Sequence, residues 1–301
     1  MKGRLTLGLI AFAIWGPPSL VALPCSALLA LAPDQSRRTR LLALGFATAG
    51  AALLALSSGG RLAAATQAYV LLVTVAFALD VALRSEPSNL LRHALRATAV
   101  GAVGTALLVQ VVWGTTGWGT LAWESTRDAG LALRIVLAGS PDAYAIYDPV
   151  VQFASATVPG MLVLQTIAGL GLAWQWHTRL ADAPLGPALA PFREFRIGDG
   201  WVWGIVAWLG TAIAPVSVAL KTIGLNVGLV AGMLYLLRGI AIVVAFSQAF
   251  GISAVALVIV AGIATGLALP LLFLIPGLAT LGITDTWYEY RHRLAARRPT
   301  T

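Results

Sequence analysis

The chain is poor in charge and in the residues that build covalent or metal chemistry. Only 11% of its 301 residues are Asp, Glu, Lys or Arg, against roughly 25% in soluble globular domains. That deficit excludes a water-soluble fold, because too little polar surface exists to clothe one. With a single cysteine, Cys25, the chain has no intramolecular disulfide and no cysteine-built metal site. The three histidines, His93, His177 and His292, fall between the apolar segments, in expected cytoplasmic loops, at spacings unlike any metal-binding motif. No Gly-x-x-x-x-Gly-Lys loop is present, so an ATP-driven role needs a separate ATPase. His-Glu-x-x-His is also missing, and Gly251-Ile252-Ser253 lacks the second glycine of a serine nucleophile turn. We expect neither an enzyme nor a bound metal or cofactor.

What fills the space is apolar. Hydrophobic residues make up 58% of the chain and the mean hydropathy is +0.85. A spanning helix needs about 20 apolar residues. Apolar segments run near 5–32, 41–57, 62–83, 96–113, 149–175, 200–219, 223–248 and 251–284. These predict an all-α polytopic bundle, with residues 1–301 forming one integral membrane domain that ends in a basic tail, 285–301. The first and last segments exceed one span and hold prolines in their middles, Pro17, Pro18 and Pro24, then Pro270 and Pro276. Proline kinks or ends a helix, so each is a tight hairpin or one broken helix. Lys2, Arg4 and the following apolar run resemble a signal peptide, but Pro24 and Pro33 flank the candidate cleavage sites, so an uncleaved anchor is expected.

Charge orients the bundle. The net charge of +8 comes from arginine clusters beside apolar segments, the pattern of cytoplasmic loops meeting anionic headgroups rather than of nucleic-acid binding. With both long segments as hairpins, the clusters around Arg37, Arg92, Arg193 and Arg291 all fall inside. We therefore expect eight to ten crossings of a bacterial inner membrane and two cytoplasmic termini. The segment 114–148 then lies outside. There Ser125-Thr126-Arg127-Asp128 has the form of a capping box ahead of an apolar run from Ala129, which predicts a short interfacial helix, either a lid or a plain connection.

Small residues mark packing faces. Gly224, Gly228 and Gly232 recur at four-residue spacing, Gly262 and Gly266 repeat the device, and Ala47, Ala51 and Ala55 form a ridge. Such faces let helix backbones approach closely. Charge at membrane depth is costly and marks site hypotheses. Arg238 falls near the middle of a span, with Tyr235 one turn earlier and Asp80 a candidate ion-pair partner. Two readings stay open, a structural ion pair and an anionic-ligand contact, with Asn226 as a further polar group for a ligand. Tyr147-Asp148 and Gly198-Asp199 superficially match an intramembrane aspartyl protease. Position 196 is arginine rather than glycine, and the expected topology separates the two acids by about 30 Å. At the C-terminal end, Trp287, Tyr288, Arg291 and Arg293 predict an interfacial anchor; Asp285 is expected to pair with Arg291 or a loop arginine.

The order of Phe192-Arg193-Glu194-Phe195-Arg196, a Trp-rich span from Trp201, Leu237-Arg238-Gly239-Ile240-Ala241, and Leu281-Gly282-Ile283-Thr284-Asp285-Thr286-Trp287-Tyr288-Glu289-Tyr290-Arg291 resembles the YybS-like family of bacterial membrane proteins. The resemblance covers about residues 150–293. That family is similar in overall pattern to the S components of energy-coupling factor transporters. The resemblance implies capture of a small solute, of a kind the sequence does not specify, with a transmembrane coupling subunit and ATPases as partners in the lipid bilayer. The rival expectation is a membrane scaffold that docks other proteins.

Overall fold

The computed structural model describes residues 2–32, 35–57, 59–83, 90–136, 144–253, 256, 262 and 269–290. Helices are the only way an open chain satisfies its backbone in lipid, and the described residues are helical, with no strand among them. We number the helices α1 (Lys2–Trp15), α2 (Ser19–Leu31), α3 (Arg37–Leu56), α4 (Gly60–Ala82), α5 (Leu90–Val136), α6 (Tyr144–Leu180), α7 (Val202–Ile213), α8 (Val218–Ala249) and α9 (Leu269–Tyr288). Among the described residues five of these, α3, α4, α5, α6 and α8, are long and apolar enough to cross a membrane. The chain divides into two compact units, residues 1–189 and 190–301, each described by itself.

In the first unit, the long N-terminal segment breaks at Gly16-Pro17-Pro18, whereas Pro24 lies inside α2. Pro24 deprives the Leu20 carbonyl of its helical donor. That carbonyl faces Gly169 of α6, where even a Cβ would come within 3.0 Å of it. Phe12, Leu20, Cys25 and Ala173 form one apolar cluster, and Phe77, Val73, Leu170 and Trp174 form the heart of a second. In lipid such burial gains little over contact with acyl chains, so close packing and polar ties decide which helices meet.

The polar ties gather at helix ends. Ser36 caps α3, its Oγ accepting from the Thr39 amide at 3.3 Å. Asp182, just past α6, accepts from Thr39 Oγ1 at 2.7 Å and from the Ser36 amide at 3.1 Å. These bonds, the Thr39 hydroxyl first, hold its carboxyl below the ordinary range. At the start of α4, Glu124 accepts from the amides of Leu62 at 2.6 Å and Arg61 at 3.1 Å, filling the orphan donors of a helix N-terminus. Gly60, at φ +80°, lies against the Glu124 carboxylate with no room for a Cβ.

The expected capping box at Ser125 does not form. Helical structure resumes directly after Gly114, whose φ of 61° and ψ of −156° interrupt α5, and Ser125 lies within the helix, donating to the Ser155 carbonyl at 3.2 Å. The segment is thereby tied to α4 and α6. The alanine ridge of α3 also differs from expectation. Ala51 and Ala55 are exposed, while Ala43 and Gly50 turn inward and Gly50 meets Leu23 of α2.

In the second unit α7 and α9 each pack along α8. A Cβ on Gly224 or Gly228 would overlap Thr211 or Trp208 of α7, as the glycine spacing predicts. A Cβ on Gly232 would meet none of the described residues within 4 Å. Each four-residue step rotates about 40° around a helix, which carries the third glycine off the α7 face. A Cβ on Gly262 would likewise meet no described residue within 4 Å, and Gly266 lies outside the described residues. The tightest crossing uses glycines from neither series. A Cβ on Gly239 would strike the Leu278 carbonyl, and one on Gly282 would strike the Tyr235 carbonyl. At this point α8 and α9 meet backbone to backbone, with α9 running as one helix through Pro276.

Gly282→Val is expected to lower unfolding stability in detergent by about 1–3 kcal/mol through overpacking. Gly232→Ala is expected to be neutral or stabilising by up to about 1 kcal/mol, because alanine favours the helix and none of the described residues blocks it. Chemical denaturation of the two purified variants checks the contrast; equal losses would contradict the assignment of the crossing.

Candidate functional site

The Gly239–Gly282 crossing sets the neighbouring residues of both helices against each other. Arg238 of α8 meets Asp285 of α9, its Nε donating to Asp285 Oδ2 at 2.9 Å. Both side chains are buried, 7% and 3% exposed. Asp285 has a second task, accepting from the Tyr290 amide through Oδ1 at 2.9 Å. That bond secures the turn after α9, where Glu289 takes the left-handed conformation at φ 44°.

The other edge of the guanidinium is held more loosely. Arg238 Nη1 donates to Thr286 Oγ1 at 3.3 Å and to Asp199 Oδ1 at 3.4 Å. Asp199 belongs to a 3-10 turn, Asp199–Trp201, just before α7, and its side chain is 71% exposed. An exposed carboxylate is costly in hydrocarbon. Through this contact Arg238 reaches the 3-10 turn that leads into α7.

The partners expected from sequence change as well. Asp80 is not the partner found for Arg238. It stands 2.6 Å from His93 Nδ1 in the first unit, the ring donating to the carboxylate when the proton is on Nδ1. Asp285 takes its place; its expected pairing with Arg291 lies outside the described residues. The residues Asp199, Asp285 and Thr286 were not foreseen as parts of the site; the signal available was the rule that a buried guanidinium must find carboxylates.

Of the other expected ligand residues, Tyr235 joins the cluster and Asn226 does not. Tyr235 is fully buried, and its hydroxyl lies beside Thr286, near Arg238 and Asp199, without a hydrogen bond of good geometry among the described residues. Asn226 is about 18 Å further along α8 and donates to the Thr222 carbonyl of its own helix at 2.8 Å. In the anchor, Trp287 and Tyr288 are exposed, 63% and 51%, and Tyr288 stacks on Tyr290. Arg291 and Arg293 lie outside the described residues.

Two of the histidines are not loop residues as expected, and His292 lies outside the described residues. His93 lies in α5 and His177 in α6, both buried. His177 Nε2 accepts from the Leu185 amide at 3.1 Å. That bond and the one from Trp174 Nε1 to the Pro187 carbonyl, 3.0 Å, fold the following loop onto α6. No group of three or more potential metal ligands occurs among the described residues.

Asp285→Asn is expected to cost about 3–5 kcal/mol of stability, since it strands a buried cation. Asp199→Asn, at an exposed carboxylate, is expected to cost under about 1 kcal/mol. Thermal unfolding of the two variants tests this, and a larger loss for Asp199→Asn would reverse the assigned roles.

Residues 35–286 match a family described as Predicted membrane protein (DUF2232), and the chain belongs to that family. No curated protein matches, and no solved structure does. Family and helices together make it a multi-pass integral membrane protein.

Proposed function

We propose, from membership of this membrane family, that the protein captures a small solute at the membrane and passes it on with the help of energy-supplying partner subunits. In this reading it resembles the S component of an energy-coupling factor transporter, consistent with its likeness to the YybS-like family. It would cross the bacterial inner membrane eight to ten times with both termini in the cytoplasm, and a transmembrane coupling subunit and ATPases would complete it.

The observation that carries the reading is the division of labour around Arg238. Asp285 fixes and neutralises the guanidinium from the buried side, while the opposite edge meets the Thr286 hydroxyl and an exposed carboxylate at longer distances. A purely structural pair has no need of the second, loosely held acid. A charged group kept at the seam of apolar helices with one edge within reach of solvent is suited to holding a polar solute.

A second reading, a scaffold that docks other membrane proteins, has its own observation. The exposed Ala51 and Ala55 give α3 an outward small-residue face of the type that admits a partner helix.

Native mass spectrometry of the protein released gently from its own membrane separates the two. Solute capture predicts a stoichiometric small molecule, lost in Arg238→Lys, together with coupling subunits. Protein partners without any small molecule would sink that reading and favour the scaffold.

A further inference from the structure

We propose that Arg238 and Tyr235 form a subsite for an anionic oxygen group, a carboxylate or a phosphate, and that Asp199 is the internal counter-ion which this group displaces. The inference rests on the solute-capture reading and names the chemistry of the solute.

Three features of the cluster converge. First, the two carboxylates hold Arg238 unequally. Asp285 is buried and bonds Nε at 2.9 Å, whereas Asp199 is exposed and reaches Nη1 at 3.4 Å. The outer contact is therefore the one that exchanges at small cost. Second, among the described residues the cluster sets one guanidinium against two carboxylates, Asp285 and Asp199. An incoming anion that takes the place of Asp199 conserves the local charge and returns that carboxylate to water. Among the described residues nothing flanking impedes that movement, since even a Cβ on Gly198 or Gly200 would meet none of them within 4 Å.

Third, the site holds a buried donor that is poorly satisfied among the described residues. The Tyr235 hydroxyl is buried beside Thr286 and lacks a well-formed hydrogen bond among the described residues. A buried hydroxyl left unpaired is costly and uncommon. An oxygen anion seated on Nη1 gives that hydroxyl an acceptor, which neutral or cationic ligands without such an oxygen do not. Guanidinium and phenol together select for anionic oxygen.

The full-length protein carrying Asp199→Ala, purified in detergent, leaves Nη1 with the Thr286 hydroxyl but without its outer carboxylate. Sodium acetate or inorganic phosphate, compared with chloride at equal ionic strength, is expected to raise its unfolding temperature saturably by about 2–4 °C. Wild type, with Asp199 in place, is expected to shift less, and adding Tyr235→Phe to Asp199→Ala is expected to weaken the effect several-fold. If Asp199→Ala does not fold, Asp199→Asn serves in its place with the same expectation. Nanodiscs distinguish the source of the anion. Stabilisation of the variant by phosphatidylglycerol over phosphatidylcholine, without an acetate or phosphate response, assigns the subsite to a lipid headgroup; a response to the free anions assigns it to a soluble one. The proposal is overturned if neither free anions nor anionic lipid stabilise either variant more than wild type. Absence of a retained solute in native mass spectrometry, with the anion response intact, would instead remove the capture reading and leave the subsite standing.

Discussion

Two missing side chains govern the second unit. Because Gly239 and Gly282 have no Cβ, α8 and α9 touch through their backbones, and only at that separation does Arg238 reach Asp285 at 2.9 Å. In an apolar solvent, helices do not find one another by hiding hydrophobic surface; close packing and polar satisfaction give them a register. Sliding α9 by one turn would part the guanidinium from its buried carboxylate, leaving both charges unpaired. The close crossing and the ion pair therefore specify the same alignment. Asp285 extends that alignment to the turn after α9 through the Tyr290 amide.

The first unit solves the same problem differently. Its apolar clusters are large, with Trp174 and Phe77 among the most completely buried residues, and several of its directional contacts sit where helices begin and end. Glu124 fills the N-terminus of α4, Asp182 ties the start of α3 to the end of α6, and Asp80 with His93 joins α4 to α5. Helix termini carry orphan backbone groups that must be satisfied, so acids placed there serve packing and capping at once. The long segment after Gly114 thus acts as a structural brace, through Glu124 and the Ser125–Ser155 contact.

Much of the architecture was legible in the sequence because it follows from composition. Apolar runs and scarce charge dictate membrane helices, and the four-residue spacing of Gly224 and Gly228 correctly marks a helix contact. The same spacing misled at Gly232, since a row of every fourth residue winds slowly around the helix. Prolines were ambiguous for a similar reason. Pro17-Pro18 ends a helix while Pro24 and Pro276 are absorbed within one, and in Pro24's case the freed Leu20 carbonyl meets Gly169, a glycine far away in sequence that no local pattern reveals. The need of Arg238 for an acid could be read; which acid could not. Asp80 and Asp285 both end apolar runs, and the choice between them depends on which helices touch. That is decided by single glycines, Gly239 and Gly282, which form no series.

The central claim is that Arg238 and Asp285 act as one unit at the α8–α9 seam. A double-mutant cycle tests it most directly, using Arg238→Met, Asp285→Leu and the pair together, with unfolding free energies measured in mixed micelles. Each single change leaves a buried charge alone, and the double change removes both, so the predicted coupling is on the order of 2–3 kcal/mol, with the double variant more stable than either single one. Losses that simply add, to within about 0.5 kcal/mol, would contradict the claim.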